Sequence, residues 1–483
     1  MTATSPDVDT ADVTDPTGVT GRLSQHLAAA TLDDIPEHVA TRAEHLVLDG
    51  IGCGLLAAHL PWSERAVEVT AEMEGQGPAT VWGWGRSLPA PAAALLNGTF
   101  IQGFELDDYH QFGPLHSEAC VVPSVLATAE QLGGVSGPDF VAAAAYGFEV
   151  GPRVGMAMGG LALVGRGWHC GAVYGTLASA AGAGKLRGLT AAQFEDAFGI
   201  AATQSAGLMA AQYEAMVKRM HSGLAARSGL YAAALAANGF SGIKRVIERE
   251  YGGFASTFSP SDPVDLERIM DGLGERWEIE RICVKPYSCM GGLHSTVDGA
   301  LALRQRGTFT AGDIRSVRIG VAHAMFHHAG WQLERPAEII GAQMNLAYAA
   351  AVTLLDGTAF VPQFAPERLE SDDVWDLIGR TTIAWDQDID ELGENSRWTS
   401  RLRIALTDGR VEEIEVEHPL GGLDRPMTND ELRAKFRRMA ALVIDDQARI
   451  DEIERFTLSL RDQDDALRLS ELAAAPVHGP FGR

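Results

Sequence analysis

The chain has 483 residues, with 39 Lys+Arg against 64 Asp+Glu and a formal net charge of −25. Such acidity repels nucleic-acid phosphates and argues against a nucleic-acid partner. With 46% hydrophobic and 21% charged residues the composition is globular rather than disordered, and the length suits about two to four domains.

Residues 1–17 are acidic and polar, lack the basic and apolar regions of a signal peptide, and read as a disordered tail. From Val19 to about Gly272 the apolar spacing is helical and the segment is rich in Ala and Gly. Val39–Leu56, Ala92–Phe104, Val121–Leu132, Asp139–Met156 and Gly223–Ala237 carry that spacing. Asp33 or Asp34 ahead of Pro36, and Thr190 ahead of Gln193, are expected helix starts. The uncharged stretch Gly167–Gly184 approaches membrane-spanning length, but its Ala, Gly and Ser content fits a packed helix of a protein with no membrane role.

Beyond Gly272 the pattern changes. Trp277–Lys285 and Arg315–Val321 alternate like strands, and Arg401–Leu406 with Val411–Val416 flank the hairpin signal Asp408-Gly409. Gly341–Asp356 between them reads as a helix, and Thr428–Arg438 and Asp446–Ser459 return to helical periodicity. The expectation is a mainly α protein: a large, discontinuous all-helical domain (18–274 and 422–483) carrying a smaller α+β lid domain (275–421). Five scattered cysteines build no disulfide framework, which suits a reducing cytoplasm.

Gly182-Ala183-Gly184-Lys185-Leu186 is not a phosphate loop, because Ser179 replaces its first glycine, Leu186 replaces the metal-binding hydroxyl, and no strand precedes it. Four other segments carry chemistry. Glu105, Asp107, Asp108, Tyr109 and His110 with His116 place two imidazoles and three carboxylates within twelve positions. They suit acid/base work or a solvated helix end; paired-Cys and HExxH spacings are absent, and no metal is expected. His169, after Gly167-Trp168, opens an Ala-rich helix where it can face an anion or serve the core. Lys218, Arg219 and His221 form a basic spot ahead of an apolar helix, suited to an anion or to a surface ion pair, and Lys285 follows the strand at the domain switch, as a cleft cation or a strand-end lysine reaching solvent. Two lysines, one arginine and several histidines suit a small polycarboxylate: cations neutralise it and imidazole moves protons near neutral pH.

These segments resemble the MmgE/PrpD family. Its DD-[TY]-H…H-[PS] pattern is similar to Asp107-Asp108-Tyr109-His110 with His116-Ser117, and its GWH segment to Gly167-Trp168-His169 through Gly175. Its two lysine elements are similar to Lys218…Gly223 and to Lys285, Tyr287, Met290 and His294. Tyr109 stands where many members carry Thr. The likeness runs from about Val19 to the C-terminus and is strongest to members that decarboxylate cis-aconitate. It implies a cofactor-free, homodimeric carboxy-lyase with its site between helical body and lid, forming itaconate and CO2. A methylcitrate-type hydro-lyase and an epimerase of an amino-dicarboxylate such as iminodisuccinate are the alternatives. By motif position the implied catalytic groups are His116, His169, Lys218, Asp107 and Tyr109. Lys285, Tyr348, Glu105, Asp108, His110, His221 and Arg219 would hold substrate. His116 is the first candidate for proton donor and His169 the second.

Overall fold

The computed structural model describes residues 12–261 and 263–482. Residues 1–11 of the expected tail lie outside the described residues. The stretch 12–17 corrects the rest of that expectation: Val13 is buried, and the Thr14 N–H donates to Glu195 Oε2 at 2.9 Å. Asp15 Oδ1 then accepts from the Thr17 and Gly18 N–H groups, just ahead of the helix Val19–Ala29.

The body is built from helices whose small residues let backbones approach closely. Cys170–Leu186 runs through its middle, buried from Cys170 to Gly184, against Ser117–Leu132, Gly137–Ala157 and His221–Ala237. The phosphate-loop lookalike is thus helix interior. The helix Ala90–Ile101 crosses His221–Ala237 at a Gly98–Gly223 contact. A Cβ on Gly98 would stand 2.7 Å from the Gly223 Cα, and one on Gly223 would stand 2.1 Å from the Leu95 carbonyl oxygen. Neither position tolerates a side chain, and the close crossing brings the ends of both helices to one place.

Local chemistry accounts for the helix starts. Thr190 and Thr428 each form a capping box, with Gln193 and Glu431. The expected Asp33/Asp34 cap is corrected: Thr31 caps a single 3-10 turn, Leu32–Asp34, and Pro36 itself precedes the helix Glu37–Ala57. A two-stranded hairpin, β1 (Ala79–Val81) and β2 (Arg86–Leu88), also belongs to the body.

Trp277–Lys285 is the largest departure from the expected pattern. Its alternation belongs to a buried Trp277 and a 3-10 turn, Glu278–Arg281, which leave only a three-residue strand. That strand, β4 (Ile282–Val284), pairs antiparallel with β3 (Asp108–His110) from the body, Asp108 opposite Val284 and His110 opposite Ile282. The pairing sets Lys285 beside Asp107, and the Lys285 N–H donates to the Asp107 carbonyl at 3.3 Å.

The inserted segment also holds a four-stranded sheet, packed with helices. Its strands are β5 (Ile314–Val321), β6 (Thr381–Trp385), β7 (Ser400–Leu406) and β8 (Val411–Val416), in the order β6-β5-β7-β8. β7 and β8 make the expected hairpin around Asp408-Gly409. β6, parallel to β5, was not expected, because a half-exposed edge strand carries little alternation. The expected helix Gly341–Asp356 is broken: Ile339–Gln343 ends, and Asn345 caps a new helix, Leu346–Asp356, by accepting from the Tyr348 N–H.

The C-terminal helices return to the body. Asn429–Ala440 lies on Glu37–Ala57, with Phe436 and Met439 over Gly52 and a buried Lys435–Asp49 ion pair at 2.7 Å. Arg461 reaches Glu44, and the Gly83 N–H donates to the Ala473 carbonyl. We therefore propose that 18–274 with 422–483 and the inserted 275–421 are the units of the molecule. Among the described residues no single helix is long and apolar enough to cross a membrane.

Candidate active site

One cavity of about 130 Å³ lies between the body and the inserted segment. The body contributes Glu105, Tyr109, His110, His116, His169 and Lys218; the inserted segment contributes Lys285, Met290, His328, Met344, Arg397 and Trp398. Helix starts aim at this space. His116 and His169 occupy the N-cap positions of Ser117–Leu132 and Cys170–Leu186, and Lys218 lies in the 3-10 turn Met216–Met220 that feeds His221–Ala237. His116 and His169 thus enter the space from two helix starts, beside the ammonium of Lys218.

The centre is a buried chain of charges. Lys218 Nζ and Arg219 Nη1 both donate to Glu105 Oε1 at 2.5 Å. Lys285 Nζ donates to Glu105 Oε2 at 3.3 Å and to Asp107 Oδ1 at 2.7 Å. His116 Nδ1 lies 2.8 Å from Asp107 Oδ2 and donates to the Asp108 carbonyl at 2.9 Å. Two acceptors require the proton on Nδ1, which leaves Nε2 for the cavity. Three cations (Lys218, Lys285, Arg219) against two carboxylates (Glu105, Asp107) leave the cluster one positive charge in excess, 3 − 2 = +1.

Glu105 makes this convergence possible. It is one of two described non-glycine residues in the left-handed region, with φ 54° directly after the 3-10 turn Gln102–Phe104. That conformation costs about 1–2 kcal/mol and persists where surrounding contacts over-determine it. Here the three cations do so.

The electrostatics follow from burial and charge. Burial pushes the Glu105 carboxyl up, but Lys218, Lys285 and Arg219 outweigh it and hold it well below the usual range. Asp107 behaves alike: burial opposes, Lys285 and His116 win, and its pKa falls to about 2. Lys285 is raised despite burial, by Asp107 and Glu105. Lys218 is lowered by burial, against the pull of Glu105. Burial, then His221 and Lys218, push His169 well below the usual range, so it is neutral at pH 7.

His116 and His169 lie parallel, centroids 5.9 Å apart with an interplanar angle of 2°. His169 Nε2 sits 3.5 Å from Gln102 Nε2. A neutral His169 that accepts from that amide carries its hydrogen on Nδ1. Nδ1 and the Tyr109 hydroxyl have no hydrogen-bond partner among the described residues. Tyr109 is held flat on Trp398 of the inserted segment, centroids 5.3 Å apart. Leu115, Leu161, Val164, Met209, Met290 and Met344 supply apolar wall.

Not every expected residue reaches the cavity. Asp107 acts through His116 and Lys285. The Asp108 carboxylate caps a helix, accepting from the Ser117 and Glu118 N–H groups at 2.7 and 2.9 Å. His110 touches the cavity, but its Nδ1 accepts from the Gly113 N–H and its Nε2 lies 3.3 Å from Glu278. Arg219 is spent on Glu105, Gln343 and the face of Trp62. His221 stands behind His169, centroids 4.8 Å apart, its pKa pushed by burial to about 4. Tyr348 corrects the expectation most clearly: it is absent from the lining, and its hydroxyl donates to the Gln363 carbonyl at 2.7 Å.

His328, Arg397 and Trp398 also line the cavity and were not expected. None stands in a recognisable motif; only Arg397-Trp398, a cation beside an aromatic, offered a faint signal. Outside the lining, Asp49, Cys53 and Glu118 bring potential ligand atoms within 4.8 Å of one another, but Lys435 already pairs with Asp49.

Comparison with known proteins places the whole chain. The MmgE/PrpD N-terminal domain model matches residues 21–267 and the C-terminal domain model residues 287–457. Cis-aconitate decarboxylase-like protein oryM of Aspergillus oryzae is 42% identical over 484 residues, covering 96% of this chain and 100% of its own. Cis-aconitate decarboxylase of Aspergillus terreus is 41% identical over 487 residues, covering 98% and 99%. Human cis-aconitate decarboxylase is 25% identical over 457 residues, covering 92% of each. With both domain models matched in order along one chain, the protein belongs to the MmgE/PrpD family.

Proposed function

We propose that this protein is a carboxy-lyase that converts cis-aconitate to itaconate and CO2 without a cofactor. The observation that carries the reading is that Lys218, Lys285 and His116 line one cavity and join through Glu105 and Asp107. Identity of 41% over nearly the whole length to an enzyme named cis-aconitate decarboxylase supports it.

The chemistry needs what these residues offer. The carboxylate lost is β,γ to the alkene. As its C–C bond breaks, the electron pair forms a new C=C bond to the former methylene carbon, and the old alkene pair moves to the distal carbon. That carbon takes one proton, so the trianion and one H⁺ become the itaconate dianion and CO2. The alkene itself accepts the electrons, and no organic cofactor is required.

Lys218 and Lys285 hold the retained carboxylate on the carbon that gains negative charge, where charge-assisted bonds strengthen toward the transition state. Glu105 yields part of its lysine bonding to the incoming carboxylate, and Asp107 remains ionised beneath. His116 acts as an imidazolium: held through Nδ1–H, it delivers its Nε2 proton to the distal carbon and is left as the neutral ring with the hydrogen on Nδ1. His169 Nδ1–H and the Tyr109 hydroxyl orient the substrate. The departing carboxylate rests against the apolar wall, where loss of its charge is favoured.

The reading includes a cytoplasmic homodimer. All five cysteines are free thiols, and the exposed apolar residues Leu208, Tyr213, Met216 and Val217 border Lys218 in sequence. Incubation with cis-aconitate tests the reaction by product NMR. Equal amounts of CO2 and a methylene-bearing dicarboxylate support it. A hydrated tricarboxylate would indicate the hydro-lyase, and solvent exchange into iminodisuccinate without net change would indicate the epimerase.

A further inference from the structure

Arg397 stands apart from the other cations of the cavity. Lys218, Lys285 and Arg219 are each paired with a carboxylate, whereas Arg397 has no ion-pair partner and no hydrogen-bond acceptor among the described residues. Its Nε is fully buried and unpartnered, and burial lowers its pKa without removing its charge. Arg397 is half-buried at the mouth, and withdrawing part of a guanidinium from water is unfavourable unless an anion meets it. Arg397 lines the cavity and also the adjoining outer groove, together with Gln111, Leu161 and Trp398, so it sits at the mouth. Its guanidinium carbon lies 5.8 Å from the ring of Trp398, which stacks on Tyr109.

We propose that Arg397 binds the central carboxylate of the substrate and makes the site select a tricarboxylate over a dicarboxylate of equal length. The proposal rests on the decarboxylase reading for the identity of the substrate, not for the need of an anion at Arg397. A cation on the departing carboxylate would lose its partner as CO2 forms and so resist the reaction, which assigns Arg397 to a retained group. The lysine pair takes the carboxylate on the carbon that is protonated; the central one is left. Its bond to Arg397 is the same before and at the transition state, so the contact contributes to binding more than to turnover. Arg397 and Lys285 belong to the inserted segment while Glu105 and Lys218 belong to the body, so one ligand would touch both units.

Two measurements on the full-length protein test this. In steady-state kinetics with cis-aconitate, R397Q should raise KM by about 10–100-fold with kcat changed less than about threefold, and R397K should recover part of the loss. In calorimetric titration, which needs no turnover, R397Q should weaken tricarballylate by about 10–100-fold and glutarate, which lacks the central carboxylate, by less than about threefold. Equal losses for the two ligands, or none, would overturn the assignment. A wild-type protein that fails to turn over cis-aconitate, yet shows this ligand split, would sink the decarboxylase reading and leave Arg397 as a carboxylate receptor.

Discussion

His116 Nδ1 lies 2.8 Å from Asp107 Oδ2, and the same aspartate receives Lys285 at 2.7 Å, so one carboxylate holds both the acid and a cation of the site. Asp107 itself is fully buried and absent from the cavity lining. It is therefore a positioning residue. D107N should lower kcat by about 10–10³-fold, since the imidazole loses its anionic partner while Nε2 keeps its place. An unchanged kcat, with the fold confirmed by circular dichroism, would contradict this.

Glu105 separates the two lysines from each other. E105Q leaves Lys218, Lys285 and Arg219 with their shared partner neutral, and breaking a buried pair this way costs about 3–5 kcal/mol. Added tricarballylate should raise the melting temperature of E105Q more than that of the wild type, because the anion replaces the missing charge. Equal shifts in thermal denaturation would mean that the cluster does not meet the ligand.

The depressed pKa values of Asp107 and Glu105 tie stability to acid. Both groups bind protons less readily in the folded chain, so their contribution is complete above the unfolded values near 4 and is lost as pH falls. For Asp107 the window runs from about pH 4 to about 2. Denaturant titrations of D107N between pH 5 and 2.5 should show a shallower decline than the wild type. Parallel declines would remove Asp107 from that linkage.

His169 should be a neutral imidazole with its hydrogen on Nδ1 at pH 7, because burial first and then the neighbouring basic groups hold its pKa well below the usual range. Nitrogen-15 NMR of histidine-labelled protein reads this directly. An imidazolium pattern at pH 7 would reassign it as the acid.

Tyr348 offers a contrast. Its hydroxyl serves the Gln363 carbonyl within the inserted segment, so Y348F should leave kcat/KM within about threefold and cost about 1 kcal/mol of stability. A loss of activity above about 30-fold without matching destabilisation would restore it to the site.

Much of this was legible in the residues. Helix periodicity located the body, and the Asp107…His116, His169, Lys218 and Lys285 segments marked four parts of one cavity. What could not be read was pairing. Lys285 looks like a free clamp in sequence, yet a three-residue strand opposite Asp108–His110 delivers it to Asp107 and Glu105. The left-handed turn at Glu105 has no sequence signature, because glutamate rarely adopts it. Trp277–Lys285 misled because alternate apolar residues suit a 3-10 turn with one buried side as well as a strand. Arg397 and His328 escaped notice because their relevance arises only when the inserted segment folds over the body. Tyr348 was implied only by the resemblance, and nothing in the apolar helix Leu346–Asp356 shows from sequence which face it turns to a cavity.

The central claim is that His116 protonates the distal carbon as CO2 leaves, and one comparison tests it most directly. Wild type and H116A are given cis-aconitate in D2O, with product followed by proton and carbon NMR. The account predicts one deuterium, on a single face of the saturated methylene of itaconate, from the wild type, and a kcat about 10²–10⁴-fold lower for a folded H116A. Near-normal turnover by H116A, with the same stereospecific label, would contradict it.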